Sequence, residues 1–432
     1  MITSGPGAYW QQGQLTETTG SADIIVDENT EYQTWDGFGG TFSEKGWYVL
    51  MELSSADRDR AIRLLFDENE GCGFTFGRIP IGSSDYGVSR YTLDDGGTDY
   101  QMNNFSIDRD LDYLIPYIQA AQAVKSDIRF WATAWTPPPW MKDNNAYDRG
   151  SMKSDSQTLD AYALYLQRFV EAYEAQGIDI EAVGPQNEPG YPQDYPSCTW
   201  DANTFSNFIA NHLGPLFTQQ NVSADIWLAT MSNPNSSSIV STVMGGGAAQ
   251  YVSAIGLQWG MEGSASNYSN QYSQPVYQTE HKCGNYPWEG GYQQTAPNDF
   301  AYAEESWGLI KSWIQNGVNG YSAWNMVLDT VGRSLDDVRP WAQNAPLTVD
   351  ANSNRLIITP TYYVFRHCAQ FVEPGAVRVG TQGGDALAFE NPDGSIVVIM
   401  KVSGGQTTVA VGGQTLQFSA SGTGWATIDW NP

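Results

Sequence analysis

The chain has 432 residues, and its 48 acidic residues against 21 lysines and arginines give it a formal net charge of −27 at pH 7. This charge repels nucleic acid, anionic membranes and acidic polysaccharides, so we expect none of them as a partner and expect a neutral substrate. No apolar run in the sequence reaches the length of a membrane span. We expect the protein to be a monomer.

Residues 1–34 form an N-terminal segment that is mostly polar, apart from the run Ala-Asp-Ile-Ile-Val-Asp at residues 22–27. This run predicts one short strand, which we assign to a β-module formed mainly by the other end of the chain. Residues 35–43 follow, and their clustered glycines allow the close backbone approach expected of the first strand of a barrel.

Residues 35–372 alternate strand-like and helix-like segments, and we count eight strand-then-helix units, although no helix is predicted after the sixth strand. The strands are short apolar runs buried on both faces, which is typical of a closed parallel barrel. The sequence therefore predicts an α/β fold, a catalytic (β/α)8 TIM barrel. The predicted strands are residues 35–43, 73–82, 127–135, 178–188, 224–230, 254–259, 275–280 and 320–326. The predicted helices are residues 56–67, 111–123, 159–176, 204–219, 237–249, 301–316 and 361–371.

Residues 373–432 differ in sequence pattern from the barrel. They consist of short runs that alternate apolar and polar residues, separated by turns rich in Gly, Asp and Asn. This pattern predicts a C-terminal module, an antiparallel β-sandwich appended to the side of the barrel. The module could bind carbohydrate or could simply pack against the barrel.

Two glutamates stand where predicted barrel strands end. Glu188 follows Asn187 on the fourth strand and Glu280 follows Thr279 on the seventh. Catalytic groups of such barrels project from the carboxyl ends of strands, and a pair of carboxyl groups is what retaining glycosidases use. We interpret Glu188 as the acid/base and Glu280 as the nucleophile, although either one alone could equally be a surface or capping carboxylate.

The four cysteines and three histidines show no metal-ligand spacing, so we expect no metal and no cofactor. Cys72 and Cys368 lie in a predicted strand and helix, where a buried free thiol is the better interpretation. Cys198 and Cys283 each follow a glutamate-bearing strand in a loop. If the protein is exported, the two could form a disulfide.

An ordered set of motifs resembles glycoside hydrolase family 30, from about Trp35 to the end of the chain. The resemblance implies a retaining mechanism through a glycosyl-enzyme intermediate, with the fourth-strand glutamate as acid/base and the seventh-strand glutamate as nucleophile. It also implies a β-module beside the barrel. The motifs are at residues 35–42, 78–85, 134–142, 186–189, 279–280, 324–325 and 367–375.

The resemblance further implies a set of substrate-binding residues. Asn187 should hold the 2-hydroxyl of the sugar, and Asp85, Trp135 and Trp324 should line the subsite of the non-reducing sugar. A turn-forming aspartate and core tryptophans are the structural alternatives. The predicted set also includes Asn325, Trp259 and Arg78, of which Arg78 is better interpreted as the partner of a carboxylate.

The chain departs from the family pattern at the sixth strand, where Gln258-Trp259-Gly260 stands in place of His-Trp-Tyr. The paired arginines expected of the family's glucuronoxylanases are also not evident at residues 327–333. This argues against glucuronoxylan as the substrate.

We therefore expect a retaining β-glycosidase that acts on a neutral β-linked glycan, with β-1,6-glucan or its oligosaccharides ahead of the alternatives. Those alternatives are a β-xylosidase or xylanase, a β-1,6-galactanase and, in a different class, a non-catalytic glycan-binding barrel. Acidity, few lysines and abundant Asn, Ser, Thr and Gly favour a secreted, extracellular protein, although residues 1–6 show no signal peptide.

Overall fold

The computed structural model describes residues 1–233 and 236–431, so the last residue of the predicted C-terminal module lies outside the described residues. The strands are β1 (Ile2–Gly5), β2 (Ala8–Gln12), β3 (Thr16–Glu17), β4 (Ile24–Thr34), β5 (Gly37–Thr41), β6 (Phe76–Ile81), β7 (Arg129–Ala134), β8 (Ile180–Gly184), β9 (Asp225–Met231), β10 (Val252–Gln258), β11 (Val276–Glu280), β12 (Gly320–Asn325), β13 (Val327–Asp329), β14 (Leu347–Asp350), β15 (Arg355–Ile358), β16 (Val377–Gln382), β17 (Asp385–Glu390), β18 (Ile396–Val411) and β19 (Gln414–Trp430). The α-helices are α1 (Glu44–Met51), α2 (Ser55–Phe66), α3 (Leu114–Val124), α4 (Ser156–Glu174), α5 (Ala202–Phe208), α6 (Gly214–Gln220), α7 (Ser237–Met244), α8 (Glu262–Gln271), α9 (Phe300–Gln315) and α10 (Pro360–Ala369).

Strands β5 to β12 form a closed barrel, in which each strand runs parallel to the next and β12 pairs back with β5. This confirms the predicted (β/α)8 barrel. Its strands are buried almost throughout, because helices cover the outside and side chains fill the inside. An aromatic layer closes the lower interior, where the ring of Trp227 lies 5.2 Å from that of Trp131 and 4.7 Å from that of Tyr277.

The helices differ from the predictions in places where the apolar spacing is weak. Helix α8 was not predicted, because Ala265 is the only buried residue among its ten and the helical apolar period is therefore missing. The predicted helix at 237–249 ends already at Met244, where three glycines follow. The predicted helix at 204–219 is interrupted by a π-helical turn at Ile209–Leu213.

The side module is one connected sheet that both ends of the chain build. Residues 1–34 contribute β1 to β4, whereas the sequence predicted a single strand there. The module was predicted as an antiparallel sandwich, and its pairings are antiparallel except that β4 runs parallel to β18. The long hairpin of β18 and β19 spans the sheet, and an additional pairing of β17 with β18 folds the sheet around its own apolar core.

A buried histidine joins the module to the barrel. His367 on α10 places Nδ1 2.8 Å from Oγ1 of Thr427 on β19 and Nε2 2.9 Å from Oγ of Ser4 on β1. Because Thr427 Oγ1 donates to the carbonyl of His367, it accepts the proton of Nδ1, and Nε2 in turn accepts from Ser4. Both ring nitrogens are therefore satisfied in the neutral imidazole, and burial lowers the pKa of His367 to about 3.

The predicted disulfide between Cys198 and Cys283 is wrong, because both residues are free thiols, as are Cys72 and Cys368. The two were expected to meet in surface loops, but both are buried, and in different places. Cys198 packs in the main core of the barrel, whereas Cys283 packs in a separate aromatic cluster with Trp324.

None of the helices in residues 1–233 and 236–431 is long and apolar enough to cross a membrane.

We predict that the unfolded, unreduced protein contains four titratable thiols and that the native protein reacts with almost none. Burial raises the pKa of the Cys198 thiol to about 12, so little nucleophilic thiolate forms in the folded state. A thiol-reactive chromophore added before and after guanidinium unfolding provides the measurement. Two thiols after unfolding would show that a disulfide is present.

We predict that His367→Asn destabilises the protein by about 2 to 3 kcal/mol at pH 7, because buried polar partners lose their hydrogen bonds. This deficit should shrink as the pH falls below about 6.5, because the wild-type imidazole takes up a proton only on unfolding and so loses stability in that range, by up to about 1.4 kcal/mol per pH unit. Urea unfolding of the wild type and the variant from pH 7 to pH 4.5 measures this deficit. A deficit that stays constant with pH would contradict a buried neutral imidazole.

Candidate active site

A cavity of about 480 Å³ opens at the carboxyl ends of barrel strands β6 to β12. Side chains from the ends of these strands, or from the turns directly after them, converge on it as the barrel geometry requires. Most of the predicted site residues line this cavity. They are Asp85, Trp135, Asn187, Glu188, Trp259, Glu280 and Trp324.

Glu280 is the last residue of β11 and is held by two donors. Arg78 Nη1 donates to its Oε2 at 2.5 Å, and Trp259 Nε1 donates to its Oε1 at 2.8 Å. Burial raises the pKa of Glu280 to about 7, and the nearby charge of Glu188 acts in the same direction, although the charge of Arg78 and both hydrogen bonds oppose the rise. Glu280 therefore has a full positive charge against one of its oxygens.

Arg78 lies beneath the cavity rather than in its wall. Its side chain is completely buried, and its guanidinium carbon lies 4.3 Å from the ring centroid of Trp135 and 5.5 Å from that of Trp324. Besides Glu280, it donates through Nη2 to Oδ1 of Asn187 at 2.6 Å. Arg78 was included among the predicted substrate-binding residues, with a carboxylate as its preferred partner, and the structure shows that pairing.

Asn187 and Glu188 stand in the turn after β8, and neighbouring strands fix its backbone. The amide of Asn187 donates to the carbonyl of Ala134 at 2.7 Å, and that of Glu188 donates to the carbonyl of Thr230 at 3.0 Å. Asn187 Oδ1 accepts from Arg78 and from Thr230 Oγ1, the latter at 2.7 Å, so its amide nitrogen is left for the cavity. Glu188 itself adopts a left-handed backbone conformation with φ of 48°.

Glu188 has only neutral hydrogen-bond donors. Tyr195 donates its hydroxyl to Glu188 Oε2 at 3.2 Å. Burial raises the pKa of Glu188, and the contacts with Ser232, Gln258 and Tyr195 oppose that rise more strongly than the charge of Arg78 does. The two glutamates therefore share one cavity but differ in their partners, because Glu280 has the cation and Glu188 has neutral groups.

Asp85 is a third carboxyl group in the same cavity. Burial, together with the charges of Glu280 and Glu188, raises its pKa well above the ordinary value. Its Oδ1 is buried and has no hydrogen-bond partner among the described residues. An unpaired buried carboxyl oxygen is costly unless a ligand, water or proton satisfies it.

Trp135 and Trp324 are stacked, with ring centroids 5.5 Å apart and an interplanar angle of 15°. Asn325, predicted beside Trp324 as a substrate-binding residue, does not line the cavity. Successive side chains on a strand point to opposite faces, so Asn325 lies on the other side from Trp324 and is buried in the barrel wall.

Several cavity residues were missed from the sequence, because loops bring them together from distant parts of the chain. No spacing or strand-end signal marks them, although the abundance of aromatic residues was a general hint. These residues are Tyr195, Ser232, Trp288, Arg339, Trp341 and Gln343.

The part of the chain that the structure describes contains no candidate metal-binding site. No group of three or more His, Cys, Asp or Glu side chains there could hold a metal ion. Two of the three histidines, His281 and His367, are instead buried with their ring nitrogens in hydrogen bonds to hydroxyl groups.

The model of the glycosyl hydrolase family 30 TIM-barrel domain matches residues 35–372. The chain is 26% identical over 423 residues to the lysosomal acid glucosylceramidase of Mus musculus, covering 87% of this chain and 76% of the relative. It is 27% identical over 393 residues to the endo-1,6-β-D-glucanase of Neurospora crassa, covering 85% of this chain and 78% of that protein. A solved endo-β1,6-glucanase structure superposes with a TM-score of 0.83 at 25% identity and covers 96% of each chain.

The family model spans the whole barrel, and a pair of glutamates lines the cavity at the carboxyl ends of its strands. The chain belongs to glycoside hydrolase family 30 and is a glycosidase.

Proposed function

We propose that this glycosidase cleaves a neutral β-linked glycan with retention of configuration, using Glu280 as nucleophile and Glu188 as acid/base. The observation that carries the proposal is the unequal environment of the two carboxyl groups. Arg78 lies 2.5 Å from Glu280, whereas the hydrogen-bond donors around Glu188 are neutral. Burial raises the pKa of both groups, and because Arg78 forms its ion pair with Glu280, we assign the ionised form to Glu280 and the shared proton to Glu188.

This assignment gives the two steps of a double displacement. Glu280 attacks the anomeric carbon while Glu188 protonates the departing glycosidic oxygen, which breaks the bond to the leaving group. Glu188, now a carboxylate, then takes a proton from water, and the resulting hydroxide attacks the anomeric carbon and releases Glu280. The second step returns the proton to Glu188 and leaves both groups as they began.

Four residues around the pair suit the binding of one sugar ring. The free amide nitrogen of Asn187 can donate to a hydroxyl next to the anomeric carbon, because Arg78 and Thr230 already occupy its oxygen. The unpaired Oδ1 of Asp85 can accept from another hydroxyl group after a small adjustment. The indoles of Trp135 and Trp324 provide apolar walls against the C–H faces of the ring.

A neutral glucoside suits this cavity best. Asp85, Glu188 and Glu280 already place three carboxyl groups in the cavity, and the chain has a net charge of −27, so a further anion would be repelled. The relatives named above act on β-1,6-glucan or, by name, on glucosylceramide, which favours a β-glucosidic substrate and, among polymers, β-1,6-glucan. β-Xylosides and β-1,6-galactan are the alternatives within the same chemistry. Secretion and a monomeric state stay predictions from composition.

We predict that the enzyme releases the β-anomer first from a β-1,6-linked glucose oligosaccharide, as followed by proton NMR. Glu280→Gln should lower kcat by about 10³-fold or more, because it removes the nucleophile. Glu188→Gln should impair this oligosaccharide more than β-glucosyl fluoride, because fluoride leaves without a proton from the enzyme.

Glu70→Gln is the matched control, since the Glu70 side chain is 69% exposed, and it should leave the rates unchanged. Initial release of the α-anomer, or full activity of the Glu280→Gln enzyme, would contradict the proposal. Activity on aryl β-xylosides or β-galactosides in preference to β-glucosides would be consistent with the proposed mechanism but would contradict glucose as the proposed sugar.

We predict that Tyr195→Phe moves the basic limb of the pH profile of kcat/KM to higher pH by about half a unit to one unit. The Tyr195 hydroxyl donates to the carboxylate of Glu188 and so lowers the pKa of that group. Without this hydroxyl group, Glu188 stays protonated to higher pH, and the enzyme should therefore stay active to higher pH. Tyr48→Phe at an exposed tyrosine of α1 should leave the profile unchanged, and a shift to lower pH in Tyr195→Phe would refute the contact.

A further inference from the structure

The cavity has an inner zone, at or shortly after the ends of barrel strands, and an outer zone that longer loops supply. The inner zone consists of Asp85, Trp135, Asn187, Glu280 and Trp324, and each of these residues is buried. The outer zone consists of Tyr191, Trp288, Arg339, Trp341 and Gln343, from the loops that follow β8, β11 and β13. Within it, Trp341 and Gln343 are buried, and the other three residues are exposed. Trp288 is 53% exposed and Tyr191 44% exposed, so the outer zone presents aromatic surface to whatever enters the cavity.

Trp288 is the most exposed tryptophan of the described residues, and its neighbours hold it in place. Tyr286 stacks on it with ring centroids 4.9 Å apart, and Trp341 meets it edge-on at 5.3 Å. The guanidinium carbon of Arg339 lies 5.3 Å from the centroid of the Trp288 ring. An exposed indole fixed in this way is a ready platform, because little conformational entropy is lost when a ligand binds to it.

The two loops that carry this platform are tied together. Asn285 Nδ2 donates to the carbonyl of Ala342 at 2.7 Å, and the amide of Asn344 donates to the carbonyl of Cys283 at 3.2 Å. Cys283 is three residues beyond Glu280, so the platform is built on the same strand end as the proposed nucleophile. The distance between platform and nucleophile is thus set by a short, cross-linked segment.

The polar groups of the outer zone suit hydroxyl groups. Arg339 has no carboxylate within ion-pair distance in the described part of the chain, although the chain has 48 acidic residues. Its guanidinium hydrogens can therefore bind acceptors on a ligand, and Gln343 and Tyr191 line the same space with an amide and a hydroxyl group. An alkyl chain placed here would desolvate these groups without giving them a partner.

The position of Glu188 indicates which part of the substrate lies in the outer zone. Its side chain is only partly buried, whereas Glu280 is 5% exposed, so the proposed acid lies closer to the mouth of the cavity than the nucleophile does. The amide of Tyr191 donates to the carbonyl of Glu188 at 3.0 Å, which places the outer zone beside the acid. The departing oxygen must lie against the acid, so the leaving group extends towards the outer zone.

We propose that Trp288, together with Arg339, forms a second sugar subsite that binds the saccharide on the leaving-group side of the scissile bond. The inference rests on the proposed function, because it assumes that the inner zone holds the sugar whose anomeric carbon reacts. The indole covers the apolar face of the leaving sugar, and Arg339 donates to its ring hydroxyl groups. The two residues thereby select an oligosaccharide over a glucoside with a small or alkyl leaving group.

The test compares three substrates on each enzyme variant: a β-1,6-linked glucose trisaccharide, β-glucosyl fluoride and octyl β-glucoside. Fluoride leaves nothing in the outer zone, so it reports on the inner zone alone and also shows that a variant has folded. Trp288→Ala should lower kcat/KM for the trisaccharide by about 10- to 30-fold and leave the value for the fluoride within about twofold of wild type. Arg339→Met should lower the value for the trisaccharide about five- to tenfold, with the fluoride again unaffected.

Val338→Ala is the matched control, because Val338 is exposed, adjacent to Arg339 and does not line the cavity. Equal losses on the trisaccharide and the fluoride, or no loss on either, would overturn the subsite. A loss on octyl β-glucoside with the trisaccharide unaffected would also overturn it and would indicate that an apolar chain occupies the outer zone.

Calorimetry separates this proposal from the proposed function. Trisaccharide should bind the Glu280→Gln enzyme about 10-fold more tightly than the Glu280→Gln/Trp288→Ala enzyme, whatever the turnover of the wild type. If the wild type cleaves neither saccharide nor fluoride, the proposed function fails, and this binding difference still decides whether the subsite exists. Equal affinities would exclude the subsite even for an active enzyme.

Discussion

The buried ion pair of Arg78 and Glu280 is the constraint on which the rest of the site depends. A guanidinium with no solvent exposure is costly to desolvate unless charged and polar partners surround it. Here Glu280, Asn187 and the indole faces of Trp135 and Trp324 surround the guanidinium, and Nε has no hydrogen-bond partner among the described residues. Because the same arginine contacts both Glu280 and Asn187, one cation fixes the ends of two strands that are not neighbours in the barrel.

The barrel makes this arrangement possible, since closure brings the ends of β6, β8 and β11 around one interior. Arg78 lies within β6, low enough to remain out of the cavity wall, whereas Glu280 ends β11 and reaches that wall. Asn187 and Glu188 lie past the end of β8, in a turn that the carbonyls of Ala134 and Thr230 secure. The positions of these side chains therefore depend mainly on the backbone register of the barrel strands, and the longer loops contribute little to them.

The sequence predicted those parts of the fold and site that depend on local pattern. The barrel strands are short apolar runs, and a carboxylate directly after such a run points to the open end of a barrel, so Glu188 and Glu280 could be placed from sequence. Strands β1 to β3 were missed because they are short or exposed and gain their order from pairing with β19 or with each other. Asn325 was misplaced because strand alternation puts only one of two neighbouring residues in the cavity.

What the sequence could not show is how residues far apart in the chain meet. Trp288 and Arg339 are 51 positions apart, and Cys198 and Cys283 seemed close only because both follow glutamate-bearing strands. In each case the loop path decides the outcome, and loop paths depend on individual hydrogen bonds such as that from Asn285 to Ala342.

Because the composition is strongly acidic, the few cations near the cavity have a large influence on which carboxyl groups are ionised. A cavity with three carboxyl groups in a chain of net charge −27 favours the protonated form of its acids, which would disable the nucleophile that we propose at Glu280. Arg78 opposes protonation of Glu280, and because this ion pair is buried, salt and water screen it only weakly. Glu188 forms no ion pair and accepts hydrogen bonds from neutral groups instead, and burial raises its pKa, which suits the role of acid that we propose for it. The difference between the two glutamates therefore follows from where a single cation is buried.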